Sequence, residues 1–276
     1  KIPMPIDLYQ SESIPRINSK GFDLDDDVDL NLLLNAIEQQ RNETLVGKTI
    51  VGGNPQEGEQ VAIRNPSDNT DNAGEVTFAS AEAIEESLMA AHGYQQHWQD
   101  FGANGRGAIL EAWADALEAN TPELIGIISR EAGRTLADAI DEVREAVDFC
   151  RYYSNQAQSP DYINGQALGT VFCVSPWNFP LAIFVGPISA ALAAGNCVIA
   201  KPAEQTPAIA TRAIELLLQA GCPSSAIHLL QGLGATIGNQ VLGDARINGV
   251  AFTGSTKTAQ VIHHALAQRE GPSVPL

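Results

Sequence analysis

Two polar clusters follow short apolar runs of the kind that form buried strands. Asn178 lies in a loop after the run 171–174, and Lys201 and Glu204 come after the run 197–200. An amide on a loop stiffened by prolines is a neutral donor fixed in advance, as an oxyanion site requires. A carboxylate can accept hydrogen bonds from both hydroxyls of a ribose and would repel a 2′-phosphate, which favours NAD over NADP.

Each of these clusters also has a purely structural interpretation. Asn178 could bond its own backbone as a turn residue. Lys201 and Glu204 could form a local ion pair that contributes little stability. The clusters are therefore candidates for an oxyanion donor and a ribose site, and both alternatives stay open at this point.

Two turns rich in glycine or hydroxyl groups could bind the phosphates of a nucleotide. Residues 232–238 contain three glycines in a pattern one residue longer than G-x-G-x-x-G, and a plain tight turn is the alternative. Residues 253–256 join a predicted strand to a helix N-terminus, where free N–H groups attract phosphate. The Ser255 hydroxyl could donate there, or it could simply cap the helix.

A predicted strand–helix–strand unit positions the two polar clusters. Residues 171–174 and 197–200 are strand-like, and residues 181–194 form a long apolar segment that suits a helix packed on a sheet. Gly195 follows where a left-handed C-terminal cap is favoured. Because a crossover of this length makes the two strands parallel, both clusters should lie at the carboxyl edge of the sheet, where such folds bind ligands.

The same alternation of strands and helices continues through the rest of the chain. Further helices are predicted over 30–40, 80–98, 106–119, 121–132, 135–153, 206–220 and 256–269, and further strands over 49–51, 61–63, 227–230 and 248–252. Repeated strand–loop–helix units predict an α/β fold with an open, mostly parallel, Rossmann-like sheet and helices on both faces.

The composition argues against several classes of function. The chain has 276 residues, 44% of them hydrophobic, and a net charge of −17, which disfavours nucleic acid or an anionic membrane as a partner. No apolar run reaches the roughly 20 residues that span a bilayer. The four cysteines lack metal-ligand spacing, so we predict no metal site and reduced core thiols in a cytoplasmic protein.

Taken together, the motifs resemble the aldehyde dehydrogenase superfamily. The matching segments, in the family's order, are 175–180 (SPWNFP), 201–204 (KPAE), 232–238 and 252–256 (FTGST). The segments 130–139 and 142–153 are similar to one branch, the Δ1-pyrroline-5-carboxylate (L-glutamate-γ-semialdehyde) dehydrogenase module of bifunctional proline-utilisation proteins. Residues 3–9 and 18–21 resemble the linker that joins the proline dehydrogenase barrel of such proteins to this module.

The resemblance implies a role for each candidate position. Asn178 would be the oxyanion donor, and Phe179 would line the aldehyde tunnel. Glu145 would lie beside the aldehyde, where a carboxylate suits a substrate that bears an ammonium group. The implied NAD contacts are Ser175, Trp177, Lys201, Glu204, Gly234, Gly238, Thr253, Gly254 and Ser255.

The resemblance also implies a cofactor, a domain plan and partners. NAD would be the cofactor here, and FAD would belong only to the proline dehydrogenase part of a bifunctional parent. Residues 1–43 would form an arm, and residues 44–276 the NAD-binding domain, with pieces near 48–64 and 158–169 contributing to a β-flap that pairs homodimers. The substrate would be glutamate semialdehyde, in a cytoplasmic protein whose parent could be peripheral at the inner membrane.

Aldehyde oxidation also needs a cysteine thiolate and a base that activates the deacylating water. The resemblance puts the family's base, in a Glu-x-Gly-Gly-type motif, shortly beyond Leu276 and the cysteine further on. We therefore expect a cofactor half without its catalytic domain, inactive alone, as an engineered or proteolytic fragment or a truncated gene product. The alternatives are a non-catalytic nucleotide-binding or structural protein of this fold, or a dehydrogenase of another aldehyde.

Overall fold

The structure is a computed structural model, and it describes residues 4, 8, 9, 16–159 and 165–276. Within these residues the elements are, in order, α1 (Asp27–Asn42), β1 (Leu45–Gly47), β2 (Ile50–Val51), β3 (Asn54–Pro55), β4 (Gln60–Arg64), β5 (Asn72–Thr77), α2 (Ala81–Asp100), α3 (Ala103–Ala119), α4 (Thr121–Ala132), α5 (Leu136–Gln158), β6 (Thr170–Val174), α6 (Ala182–Ala193), β7 (Cys197–Lys201), α7 (Pro207–Gln219), β8 (Ile227–Leu229), α8 (Gly234–Val241), β9 (Ile247–Phe252) and α9 (Thr256–Ala267). In the part of the chain so described, no helix is long and apolar enough to cross a membrane.

The main sheet has six strands in the order β3-β2-β8-β7-β6-β9. The pairs β8–β7, β7–β6 and β6–β9 are parallel, whereas β2 is antiparallel to both β8 and β3. The register sets Val174 beside both Lys201 and Phe252, so three parallel strands end at the same edge. The prediction of an open, mostly parallel sheet is confirmed.

Helices cover both faces of this sheet. All five residues of β7 are buried, which a parallel strand shows when helices pack on both of its sides. One layer contains α2, which packs on β6, β7, β8 and α8. The other layer begins with α6, which packs on β6 and β7 and is itself covered by α3 and α5.

The first part of the chain contains more structure than the sequence predicts. A second sheet has the order β1-β5-β4, and the strands β1 and β5 were not predicted because both contain glycine and one contains asparagine and glutamate. The piece at 49–51 joins the main sheet through β2, and its turn uses positive φ at Gly52 and Gly53. Helix α1 is longer than predicted and packs on α4.

Two predicted segments lie partly outside the described residues. The linker-like start overlaps 1–3, 5–7 and 10–15, and the flap piece near 158–169 overlaps 160–164. The strands β3 and β4, from the other flap piece, are each an edge strand of a sheet. The oligomerisation role of both pieces stays a prediction.

The predicted glycine loop at 232–238 is partly wrong. Gly234 and Gly238 belong to the short helix α8, which buries Ile237 and Val241 four residues apart on one face. This apolar pair at helical spacing outweighs the low helix propensity of glycine. Only Gly232, with φ of 146°, has the backbone conformation of a turn glycine.

Candidate nucleotide-binding cleft

A cleft of about 810 Å³ lies beyond the carboxyl ends of β6, β7 and β9. Two backbone hydrogen bonds extend the sheet into its floor: the Ser175 N–H donates to the Lys201 carbonyl at 3.2 Å, and the Thr253 N–H donates to the Val174 carbonyl at 3.1 Å. The predicted site residues that line the cleft are Ser175, Trp177, Asn178, Phe179, Lys201, Glu204, Gly234, Thr253, Gly254 and Ser255. The parallel register therefore brings most of the candidate residues to one place.

The loop after β6 exposes its polar and aromatic side chains to the cleft. Trp177 is 55% exposed, and Asn178 is exposed beside it. Across residues 16–159 and 165–276, the Asn178 amide has no hydrogen-bond partner, so the turn-residue interpretation does not apply. The amide is free to donate to an oxygen atom that enters the cleft.

Lys201 and Glu204 form the second side of the cleft. The Lys201 ammonium group donates to the Pro202 carbonyl at 2.6 Å and lies 3.6 Å from a Glu204 carboxylate oxygen. Burial lowers the pKa of Lys201, and the nearby Glu204 carboxylate offsets part of that effect. The ion pair considered from the sequence is present, but at 3.6 Å it leaves the carboxylate able to accept hydrogen bonds from a ligand.

The N-terminus of α9 forms the third side. The Ser255 hydroxyl caps this helix by accepting the Thr258 N–H at 3.1 Å, so the capping interpretation of Ser255 is realised. The remaining N–H groups of the first turn have no partner within the helix and can bind an anion. A Cβ atom at Gly254 would come within 2.6 Å of the Phe252 ring, so a larger residue there would require that ring to shift.

A smaller cleft of about 360 Å³ adjoins the first and shares Lys201, Glu204, Gly234 and Thr258 with it. Gly238 lies here, together with Asn239 and Lys257, which the sequence analysis missed. Lys257 carried a usable signal. A cation in the first turn of a helix is repelled by the positive end of the helix dipole, so the position of Lys257 suggests an anionic partner.

Glu145 lies apart from these residues. It is exposed on α5 and lines neither of the two clefts. Partial burial raises the pKa of Glu145, and the neighbouring Asp141 carboxylate adds to this. Its predicted role beside the aldehyde is therefore not supported by direct contact with the cleft and stays a prediction.

All four cysteines are buried and none is in a disulfide. Burial raises the pKa of Cys173 and of Cys197 to about 12 and raises the pKa of Cys150 and of Cys222 as well. These groups are neutral thiols at physiological pH, whereas a nucleophile must be a thiolate. None of the four lines either of the two clefts.

The sequence matches the description "Aldehyde dehydrogenase family" over residues 54–275. The bifunctional protein PutA of Escherichia coli (strain K12) is 43% identical over 281 residues, which is all of this chain and 21% of that protein. The chain thus spans about a fifth of the length of the PutA proteins that it matches.

Solved structures of related proteins also match this chain. The crystal structure of proline utilization A from Bdellovibrio bacteriovorus superposes with a TM-score of 0.88 and 27% identity, over 95% of this chain and 30% of that one. A 1-pyrroline-5-carboxylate dehydrogenase from Thermus with bound NAD superposes with a TM-score of 0.90 and 26% identity, over 95% of this chain and 55% of that one.

Proposed function

The chain belongs to the aldehyde dehydrogenase family, and we propose that it forms the NAD-binding part of an L-glutamate-γ-semialdehyde (Δ1-pyrroline-5-carboxylate) dehydrogenase of proline catabolism. The observation that carries this proposal is the cleft itself. Three features converge there at the end of a parallel sheet. They are the unpartnered Asn178 amide, the buried Lys201 with Glu204, and the N-terminus of α9. The structural match to a dehydrogenase with bound NAD supports the choice of cofactor.

The residues of the cleft fit NAD in their chemistry. Glu204 and Lys201 would hold the adenosine ribose, and the N-terminus of α9 would hold the pyrophosphate. The smaller cleft beside α8 and α9 would accept the adenine, and Trp177 would border the nicotinamide. When bound, NAD supplies the hydride acceptor of the reaction.

The chain's own contribution to chemistry would be the Asn178 amide. A carbonyl oxygen that gains negative charge during attack is stabilised by a donor fixed in advance, and removing such a donor typically slows turnover about 100- to 1,000-fold. All four cysteines here are buried thiols, so the thiolate of the proposed reaction would be supplied by another part of the protein. The chain by itself is therefore proposed to bind cofactor without turnover.

The proposed substrate rests on the relatives that match. Glutamate semialdehyde is the proposed substrate because the relatives that match include PutA proteins and a 1-pyrroline-5-carboxylate dehydrogenase. A cytoplasmic homodimer is the proposed state. FAD has no proposed site in this region.

Calorimetric titration of the chain with NAD, with NADP in parallel, tests the proposal. We expect saturable NAD binding and weaker NADP binding, because the Glu204 carboxylate repels a 2′-phosphate. Glu204→Ala should weaken NAD binding about tenfold, in line with the loss of one charge-assisted hydrogen bond.

Glu215→Ala provides a matched control, since Glu215 pairs with Lys48 and Arg212 away from the cleft. Its NAD affinity should equal that of the unsubstituted chain. A folded chain that binds neither dinucleotide, or equal losses in the two variants, would refute the assignment of this cleft to NAD.

A further inference from the structure

A buried carboxylate holds the start of α6, directly after the loop that carries Asn178. Glu142, on α5, is 1% exposed, and one of its oxygens accepts the N–H groups of Leu181 at 3.0 Å and of Ala182 at 3.3 Å. Helix α6 has no side-chain cap of its own at Leu181. Glu142 therefore supplies from another helix the carboxylate that an N-cap residue usually provides.

Arg134 holds the same loop at a second point. Its guanidinium carbon lies 4.8 Å from the centre of the Phe179 ring, a cation–π contact with the residue next to Asn178. The Arg134 Nε atom lies 3.6 Å from the second Glu142 oxygen, and neither atom has a hydrogen-bond partner among the described residues. The loop is thus fixed just after Asn178, by two opposite charges that also face each other.

We propose that Glu142 is a positioning residue for the Asn178 loop: with Arg134 it forms a clamp that fixes where the amide points, and protonation of Glu142 loosens it. The inference deepens the proposed function, because a fixed amide matters most for an oxyanion site. The response of the loop to the charge of Glu142 can be tested without NAD or substrate.

Burial of Glu142, offset in part by the groups that face it, brings this charge change close to neutral pH. Burial raises the pKa of Glu142 to about 7, against the lowering effects of the Leu181 and Ala182 N–H groups and of Arg134. The Glu145 carboxylate on the same helix raises it further. Arg134 is shared with Asp138, at 3.7 Å. Above this pH the clamp holds two charges, and below it the carboxyl group is neutral.

Trp177 provides a direct readout, because it is exposed in the loop whereas Trp98 and Trp113 are buried. The probe is the tryptophan fluorescence of the ligand-free chain as a function of pH, with the signal of Trp177→Phe subtracted to isolate the loop. We expect a single transition with a midpoint near pH 7, the value set by Glu142. Glu142→Gln, which keeps the shape and one acceptor, should abolish the transition.

Two further variants keep the proposal falsifiable if Glu142→Gln folds poorly. Arg134→Met removes a positive charge and should move the midpoint to higher pH. Glu131→Gln removes a buried carboxylate that serves α7 instead, and should leave the midpoint unchanged. No transition between about pH 6 and pH 8 in the unsubstituted chain, or one that survives in Glu142→Gln, overturns the proposal. Because no dinucleotide is present, a failure of NAD binding would be seen separately.

Discussion

At the residue scale, Glu131 is the clearest case of a carboxylate whose protonation depends on folding. It is 3% exposed, and its oxygens accept the N–H groups of Ala208 at 2.6 Å and Ile209 at 3.0 Å. These bonds cap the start of α7, where Thr206 makes no side-chain cap hydrogen bond. Burial outweighs the bonds and raises the pKa of Glu131 to about 8.

This shift predicts how stability changes with pH. A carboxyl group with a raised pKa in the folded state stabilises the protein fully below its unfolded pKa, and the contribution is lost as pH rises through the folded value. Between about pH 5 and pH 8, Glu131→Gln should therefore gain stability relative to the unsubstituted chain. The limiting slope is about 1.4 kcal/mol per pH unit, which gives a total of a few kcal/mol.

Urea unfolding at a series of pH values measures this difference. Glu82→Gln is the control, because hydrogen bonds at the start of α2 lower the pKa of Glu82 and its contribution changes only at acidic pH. The Glu82→Gln curve should run parallel to that of the unsubstituted chain over the same range. If the Glu131→Gln curve is also parallel, the carboxyl group is not neutral in the folded protein at neutral pH.

At the scale of elements, the second sheet depends on one glycine. Gly74, in β5, pairs with Leu45 of β1, and a Cβ atom there would lie 1.8 Å from the Leu45 carbonyl oxygen. The backbone would have to separate, so Gly74→Ala should break the β1–β5 pairing and destabilise the chain by about 2–4 kcal/mol.

Gly93 offers a matched comparison within a helix. It is exposed on α2, and an added Cβ would meet nothing within 4 Å. Gly93→Ala should therefore stabilise the chain by about 0.5–1 kcal/mol, because alanine loses less backbone freedom in a helix. Urea unfolding of both variants checks the pair. Equal effects of the two substitutions would contradict the close approach at Gly74.

At the scale of the whole molecule, the core encloses every thiol of the chain. A thiol reagent should label the folded chain about two orders of magnitude more slowly than the denatured chain, which should react at all four positions.

With NAD and glutamate semialdehyde, absorbance should show no NADH above the rate without protein. Rapid labelling of one cysteine, or steady NADH formation, would mean that a nucleophile lies within these residues.

Elements whose signals are local along the chain could be predicted from the residues alone. The runs at 171–174 and 197–200 are apolar and β-branched, and the helix over 181–194 ends before a glycine, so their order predicted a parallel crossover. That register brings Asn178, Lys201 and Ser255 to one edge of the sheet. The aldehyde dehydrogenase motifs were recognisable because they depend on residue type and spacing along the chain.

The contacts between groups that are distant in the chain could not be predicted and follow from the packing of the elements. Glu131 bonds a residue 77 positions away, and Glu142 one 39 positions away, and the sequence analysis gave neither side chain a role. Glu145, three positions from Glu142, lies instead on the exposed face of the same helix. Apolar residues at helical spacing indicate which face of a helix is buried. The group that a polar side chain on that face meets depends on contacts between elements, which spacing along the chain does not encode.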